Sequence, residues 1–109
     1  MATTEETIQQ QLRDNPIILY MKGSPQAPQC GFSARAVEAL KKTGVAFASV
    51  DVLANPFIRE KLPKVSQWPT FPQLFVAGEL VGGSDIVVEM SMKGELLPLL
   101  TAASAKAGA

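Results

Sequence analysis

Histidine is absent from the 109 residues, and cysteine, tryptophan and tyrosine occur once each. A single cysteine excludes an intrachain disulfide framework. Without histidine, one chain can offer a soft metal only one strong ligand, so any such metal must draw its other ligands from elsewhere. Charge of either sign is not in excess: ten Lys and Arg balance ten Asp and Glu, which leaves no electrostatic footprint for nucleic acid. Long apolar runs are missing too. The longest, Ile17 to Met21, is too short to cross a bilayer. The polar, acidic-leaning stretch from Met1 to Asn15 has neither the cationic start nor the apolar run of an export signal. A reducing, cytoplasmic setting is therefore expected, with no membrane or nucleic-acid partner. The length suits one domain, residues 1–109, around one sheet, with residues 1–3 and about 103–109 frayed.

The one cysteine stands where a Pro-rich loop, Gly23 to Gln29, gives way to a helical pattern. A sulfur at a helix N-terminus faces unpaired backbone N–H groups and the positive end of the dipole, both of which favour thiolate over thiol. Such a sulfur is a nucleophile or a metal ligand. A cysteine near a helix start is most often just a small packed residue. Here Gly31 leaves room beside the sulfur, and the preceding loop is too polar to be core, so Cys30 should be reachable. Three positions on, where a C-x-x-C pair would have its second cysteine, stands Ser33. No internal disulfide can close.

Thr3 and Glu6 have capping-box spacing, with Ile8 and Leu12 as an apolar stripe, so a helix is expected from about Thr4 to Arg13 and ends at Asn15-Pro16. Ile17 to Met21, apolar on both faces, reads as a central strand with Lys22 at its C-terminal end. The next helix should run from about Gly31 to Thr43, burying Phe32, Ala36, Val37 and Leu40, with Gly44 beyond its end. Val45 to Val52 reads as a second strand, which makes a right-handed βαβ unit. Asn55-Pro56 should open a short helix carrying Ile58, Arg59 and Leu62 that Pro63 stops. Gln73 to Val76 and Glu79 to Val81 form a tight hairpin through Ala77-Gly78. Further helices begin at Gly82-Gly83-Ser84-Asp85 and near Glu95, and order should fade after Ala102.

Three features beyond Cys30 admit a chemical reading beside a plain one. Trp68-Pro69-Thr70-Phe71-Pro72 is either a rigid trans turn or, with a cis Phe71–Pro72 bond, a device that turns the Phe71 N–H and C=O outward to pair with an extended peptide. Gly82 to Asp85 is either an ordinary glycine turn with Ser84 as N-cap or a seat for a zwitterion, anion on the helix N–H groups and ammonium on Asp85. Lys22 and Arg59 are either ordinary surface cations or a clamp for a second carboxylate, since both fall where they can face Cys30.

Four blocks in order carry a family resemblance: Met21-Lys22-Gly23-Ser24-Pro25, Cys30-Gly31-Phe32-Ser33, Trp68 to Leu74, and Gly82-Gly83-Ser84-Asp85. Over nearly the whole chain, Ile8 to about Leu100, the sequence resembles single-domain, bacterial-like monothiol glutaredoxins of the Cys-Gly-Phe-Ser type. The resemblance implies an α/β, thioredoxin-like fold, a four-stranded mixed sheet flanked by helices, with glutathione bound beside Cys30. In that likeness Lys22 and Arg59 hold the glycine carboxylate, Phe71 pairs with the cysteinyl backbone, and Ser84 with Asp85 holds the γ-glutamyl end. It further implies a 2Fe-2S cluster bridged between two protomers through Cys30, homodimers, BolA-like partners, and exchange with cluster donor and acceptor proteins. Some members have a second cysteine at the position of Ser84; this chain does not.

A ligand count favours the carrier function. A 2Fe-2S cluster needs four ligands and each chain offers one, so two chains and two glutathiones complete the set. The alternative is a glutathione-dependent oxidoreductase that removes glutathione from protein thiols, with Cys30 as nucleophile and free glutathione as resolving thiol; it ranks second, because the restrained Gly23 to Gln29 loop should limit bulky mixed disulfides and the resemblance implies at most a weak activity of this kind. A third reading, an adaptor that shares a cluster with a BolA-like partner, is compatible with the first.

Overall fold

The structure, a computed structural model, describes residues 2–107. Its centre is strand β1 (Ile17–Met21), every residue of which is buried. β1 pairs in parallel with β4 (Ala48–Asp51) and antiparallel with β5 (Gln73–Val76), which pairs antiparallel with β6 (Glu79–Gly82), so the sheet order is β4-β1-β5-β6. This is the expected four-stranded mixed sheet.

The alternation of β1 divides the interior. Ile17, Leu19 and Met21 join a core beneath α2 (Gly31–Thr43), α4 (Ser84–Met92) and α5 (Leu96–Ala107), with Ala36, Val37, Leu40, Val87, Leu96 and Leu100. Ile18 and Tyr20 join a second core beneath α1 (Thr4–Asp14) and α3 (Pro56–Ser66), with Ile8, Ile58, Leu62 and Phe75. A strand covered on both faces must be apolar throughout, which is why β1 shows no polar alternation. Tyr20 keeps its hydroxyl satisfied from inside the second core by donating to Gln11 Oε1 at 2.8 Å.

The helices start and stop for local reasons. Glu6 N–H donates to Thr3 Oγ1 and Thr3 N–H to Glu6 Oε1, a complete capping box, so Thr3 is held at the start of α1 rather than frayed as expected. α2 ends at Gly44 in the left-handed region. The β5–β6 turn puts both Ala77 and Gly78 at positive φ, 53° and 79°, the type I′ geometry that two-residue hairpins favour. No helix among the described residues is long and apolar enough to cross a membrane.

Several expectations are corrected. The strand expected over Val45–Val52 forms only over Ala48–Asp51, because β1 begins after Pro16 and Ile18 is already opposite Ala48. Residues 45 and 46 thus fall opposite Asn15 and Pro16, before the strand begins. Pro63 does not stop α3, which continues to Ser66 with Pro63 inside it. Proline removes one helical hydrogen bond, and burial of Ile58 and Leu62 on the same helix offsets that loss. Phe32 is 58% exposed rather than buried. The buried stripe of α2 runs through Ser33, Ala36, Val37 and Leu40, and Phe32 lies beside that stripe, not on it. The Gly23–Gln29 loop carries a small ladder, β2 (Gly23–Ser24) with β3 (Ala27–Pro28). α5 is helical through Ala107, past the expected fading at Ala102; the fraying expected at 1 and 108–109 lies outside the described residues.

Candidate functional site

Cys30 is the N-cap residue of α2, in extended conformation at φ −153° and ψ 136°. Its side chain makes no formal cap hydrogen bond. The Ser33 N–H nevertheless lowers the thiol below its ordinary pKa; against this a smaller cost of burial raises it, and the Phe32 N–H, the charge of Lys22 and the Ser33 hydroxyl lower it further. The N–H groups are the orphan donors of the first helical turn, so the helix start stabilises the charged sulfur. Ser33 is fully buried and its Oγ accepts from Lys22 N–H at 3.1 Å. That bond ties the start of α2 to the end of β1.

Cys30 borders a cavity of about 740 Å³ that collects residues remote in sequence: Lys22 at the end of β1, Arg59 on α3, Phe71 before β5, and Ser84 and Asp85 opening α4. All six residues singled out in the sequence meet here. The cations and the carboxylate are unspent. Among the described residues the ion pairs are Lys42–Glu38 and Lys93–Glu89, both on the surface, so Lys22, Arg59 and Asp85 have no ionic partner.

The Phe71–Pro72 bond is cis. Phe71 lies outside the β5 ladder, and no main-chain group among the described residues bonds to its N–H or C=O. An extended peptide can take those groups as a neighbouring strand would. The cavity is also lined by the first turn of α4, where the N-cap is Gly83 and not Ser84. Ser84 sits one position into the helix, nearly buried, with Oγ lacking any hydrogen-bond partner. A buried hydroxyl left unpaired at a helix N-terminus suits an anionic ligand group arriving from the cavity.

Sequence reading missed Gln73 and Trp68. Gln73 is completely buried, and its Nε2 donates to the carbonyls of Trp68 at 2.9 Å and Thr70 at 3.2 Å. It clasps the loop that presents Phe71. The signal was a lone polar residue opening an otherwise apolar strand, Gln73-Leu74-Phe75-Val76. Trp68 lines the cavity and packs over Gly83, where an added Cβ would come within 3.2 Å of its Nε1 and 3.3 Å of the Pro72 carbonyl. Gly83 is there for that close approach.

Among the described residues no group of three or more His, Cys, Asp or Glu could hold a metal ion. What Cys30 offers a metal is one thiolate at the rim of a cavity. A Cβ at Gly31 would meet nothing within 4 Å, so the approach beside the sulfur is open.

A thiol favoured as thiolate at a helix start, sharing a cavity with the cis-proline loop beside a four-stranded mixed sheet, places the chain among thioredoxin-like proteins. A glutaredoxin family profile matches residues 17–81. The chain is 61% identical over 106 residues to "Glutaredoxin 4" of Escherichia coli K12, covering 97% of this chain and 92% of that one. It is 65% identical over 83 residues to a probable monothiol glutaredoxin of Legionella pneumophila, covering 76% and 93%. The solved buckwheat glutaredoxin–glutathione complex superposes with a TM-score of 0.81 at 25% identity, covering 94% and 91%. The chain belongs to the glutaredoxin family, and with Cys30 as its one cysteine it is a monothiol glutaredoxin.

Proposed function

We propose that this chain binds glutathione in the Cys30 cavity and carries a 2Fe-2S cluster between two protomers, delivering it from donor to acceptor proteins in a reducing cytoplasm. The observation that carries the reading is the match between one unspent set of groups and one tripeptide. Glutathione has two carboxylates, an ammonium and a thiol on an extended backbone. Lys22 and Arg59 suit the glycine carboxylate, the Phe71 backbone suits the cysteinyl unit, the α4 N-terminus with Ser84 suits the γ-glutamyl carboxylate, and Asp85 suits the ammonium. The glutathione thiol then lies beside Cys30. The buckwheat glutaredoxin bound to glutathione supports this placement.

Donor chemistry supports the shared cluster. One thiolate per chain and no histidine leave a four-ligand cluster two thiols short even in a dimer, and two bound glutathiones supply them. Cys30 has its thiol shifted toward thiolate and is partly exposed, as suits a soft ligand. The same face can receive a BolA-like partner in place of the second protomer.

The test is anaerobic reconstitution with iron, sulfide and glutathione, read by native mass spectrometry. A dimer with one cluster and two glutathiones is expected, and removing glutathione should bleach and dissociate it, because the cluster supplies much of the association energy. Cys30→Ser should abolish the cluster. A cluster held by a monomer, or one that persists without glutathione or a substitute thiol, would sink the mechanism.

The lowered Cys30 pKa and the open side at Gly31 favour a second activity of the same site. The Cys30 thiolate attacks the glutathione sulfur of a protein–glutathione mixed disulfide, forming a Cys30–glutathione disulfide and releasing the protein thiolate. A glutathione thiolate then attacks that disulfide, leaving oxidised glutathione and restoring the Cys30 thiolate.

A further inference from the structure

Asp51, the last residue of β4, stands at a point where the two cationic segments of the cavity are joined. A single oxygen, Oδ1, accepts from Gly23 N–H at 3.0 Å and from Leu53 N–H at 2.9 Å. The first amide follows Lys22 directly; the second begins the turn that leads into α3 and Arg59. On the Lys22 side the chain is pinned on every main-chain group: Met21 C=O accepts from Val52 N–H at 2.8 Å, Lys22 C=O accepts from Gln29 N–H at 2.9 Å, and Lys22 N–H goes to Ser33. On the Arg59 side a second relay leaves the same residue. Asn55 Nδ2 donates to the Asp51 C=O at 2.8 Å, and the Asn55 C=O accepts from Arg59 N–H at 3.0 Å.

Parallel strands β1 and β4 run side by side to Met21 and Asp51 and then diverge, one into the hairpin before Cys30, the other into α3. Nothing in the ladder itself sets how far apart Lys22 and Arg59 finish. The geometry points to Asp51 as a positioning residue that sets the spacing of Lys22 and Arg59 and thereby the selectivity of the cavity for a ligand with a free terminal carboxylate. Asp51 does not line the cavity. It acts through the two cations, and the inference rests on the proposal above that they hold the glycine carboxylate of glutathione.

A ligand pair separates this role from simple support of the fold. Reduced full-length protein is titrated calorimetrically with glutathione and with its glycine ethyl ester, which differ only in the carboxylate facing the cations. The wild type should prefer the free acid by about tenfold. Asp51→Ala, which removes the shared acceptor, should cut that preference to about twofold while leaving affinity for the ester nearly unchanged. Asp51→Asn keeps a side-chain oxygen for both amides and should restore most of the preference. Asn55→Ala severs only the relay to α3 from an exposed position and should lower the preference by about twofold, which keeps the test alive should Asp51→Ala fail to fold. Equal weakening of both ligands, or an undiminished preference in folded Asp51→Ala and Asn55→Ala, would overturn the positioning role. A wild type indifferent to esterification would instead overturn the carboxylate clamp itself, and the positioning role with it.

Discussion

Gln73 offers the sharpest test of the loop geometry, because two substitutions of similar size should differ widely. The side chain is wholly buried, gives two hydrogen bonds from Nε2, and leaves Oε1 with no partner. In Gln73→Leu the two bonds disappear, at about 1 kcal/mol each, but the orphan oxygen disappears with them and returns about 1 kcal/mol. The net loss should be about 1 kcal/mol. Gln73→Glu conserves volume and inverts the chemistry: an ionised carboxylate would face the Trp68 and Thr70 carbonyls with nothing to donate. Burying an unpaired charge costs about 3–5 kcal/mol. The carboxyl should escape by staying protonated, so its pKa in the folded state is raised above its unfolded value. Between those two values the native state binds more protons than the unfolded one, and stability falls as pH rises, by up to about 1.4 kcal/mol per pH unit. Urea denaturation of both variants between pH 5 and 8 measures this, with an unchanged m-value as the check on two-state behaviour. If the Glu variant matches Leu at pH 7 and shows no added pH dependence, the amide is not a clasp and the loop is held by something else.

Other outcomes follow from the same contacts. Alkylation rates of Cys30 against pH should give a midpoint below about 8.5, the free-thiol value, and reactivity should therefore persist to lower pH than in a model peptide. A midpoint at or above it would deny the stabilisation ascribed to the helix start. Ser33→Ala should move that midpoint upward and destabilise the fold by about 1–3 kcal/mol, since Lys22 N–H loses a buried acceptor; an unchanged midpoint and melting temperature would remove Ser33 from the site. Lys22→Ala, Arg59→Ala and Asp85→Ala should each weaken glutathione binding by about 1–3 kcal/mol in calorimetry, with little loss of stability because none is in an ion pair. Unchanged affinity in all three would dismiss the binding mode.

Legibility in the sequence tracked how local each determinant was. The Thr3/Glu6 box, the continuous apolar run of β1 and the Ala77-Gly78 turn are short-range signals, and the structure has all three. The residues that line the Cys30 cavity share a related local signal: Cys30, Phe71 and Asp85 sit at junctions of elements, where polar and glycine or proline residues cluster. What could not be read depends on partners distant in the chain. The length of β4 is limited by where β1 begins, not by Val45 or Phe47 themselves. Ser33 takes the inward position expected for Phe32, and its hydroxyl there accepts from the Lys22 amide. Gln73 is read from the sequence only as the first residue of a strand; its two acceptors lie within five residues, yet the loop conformation that brings them round is a tertiary outcome.

The division of the interior by β1 has a dynamic consequence. Arg59 belongs to a layer whose core is α1 and α3, whereas Cys30, Ser84 and Asp85 belong to the layer of α2, α4 and α5, so the cavity is a seam between two separately packed halves that share one strand. Partial opening of the α1/α3 half would carry off a cation while leaving the thiol on an intact helix start. Such a state would keep a reactive sulfur but lose its grip on the tripeptide. Amide exchange that is faster in α3 than in α2 would mark the protein as able to let go of its ligand without dismantling the helix start that carries the thiol.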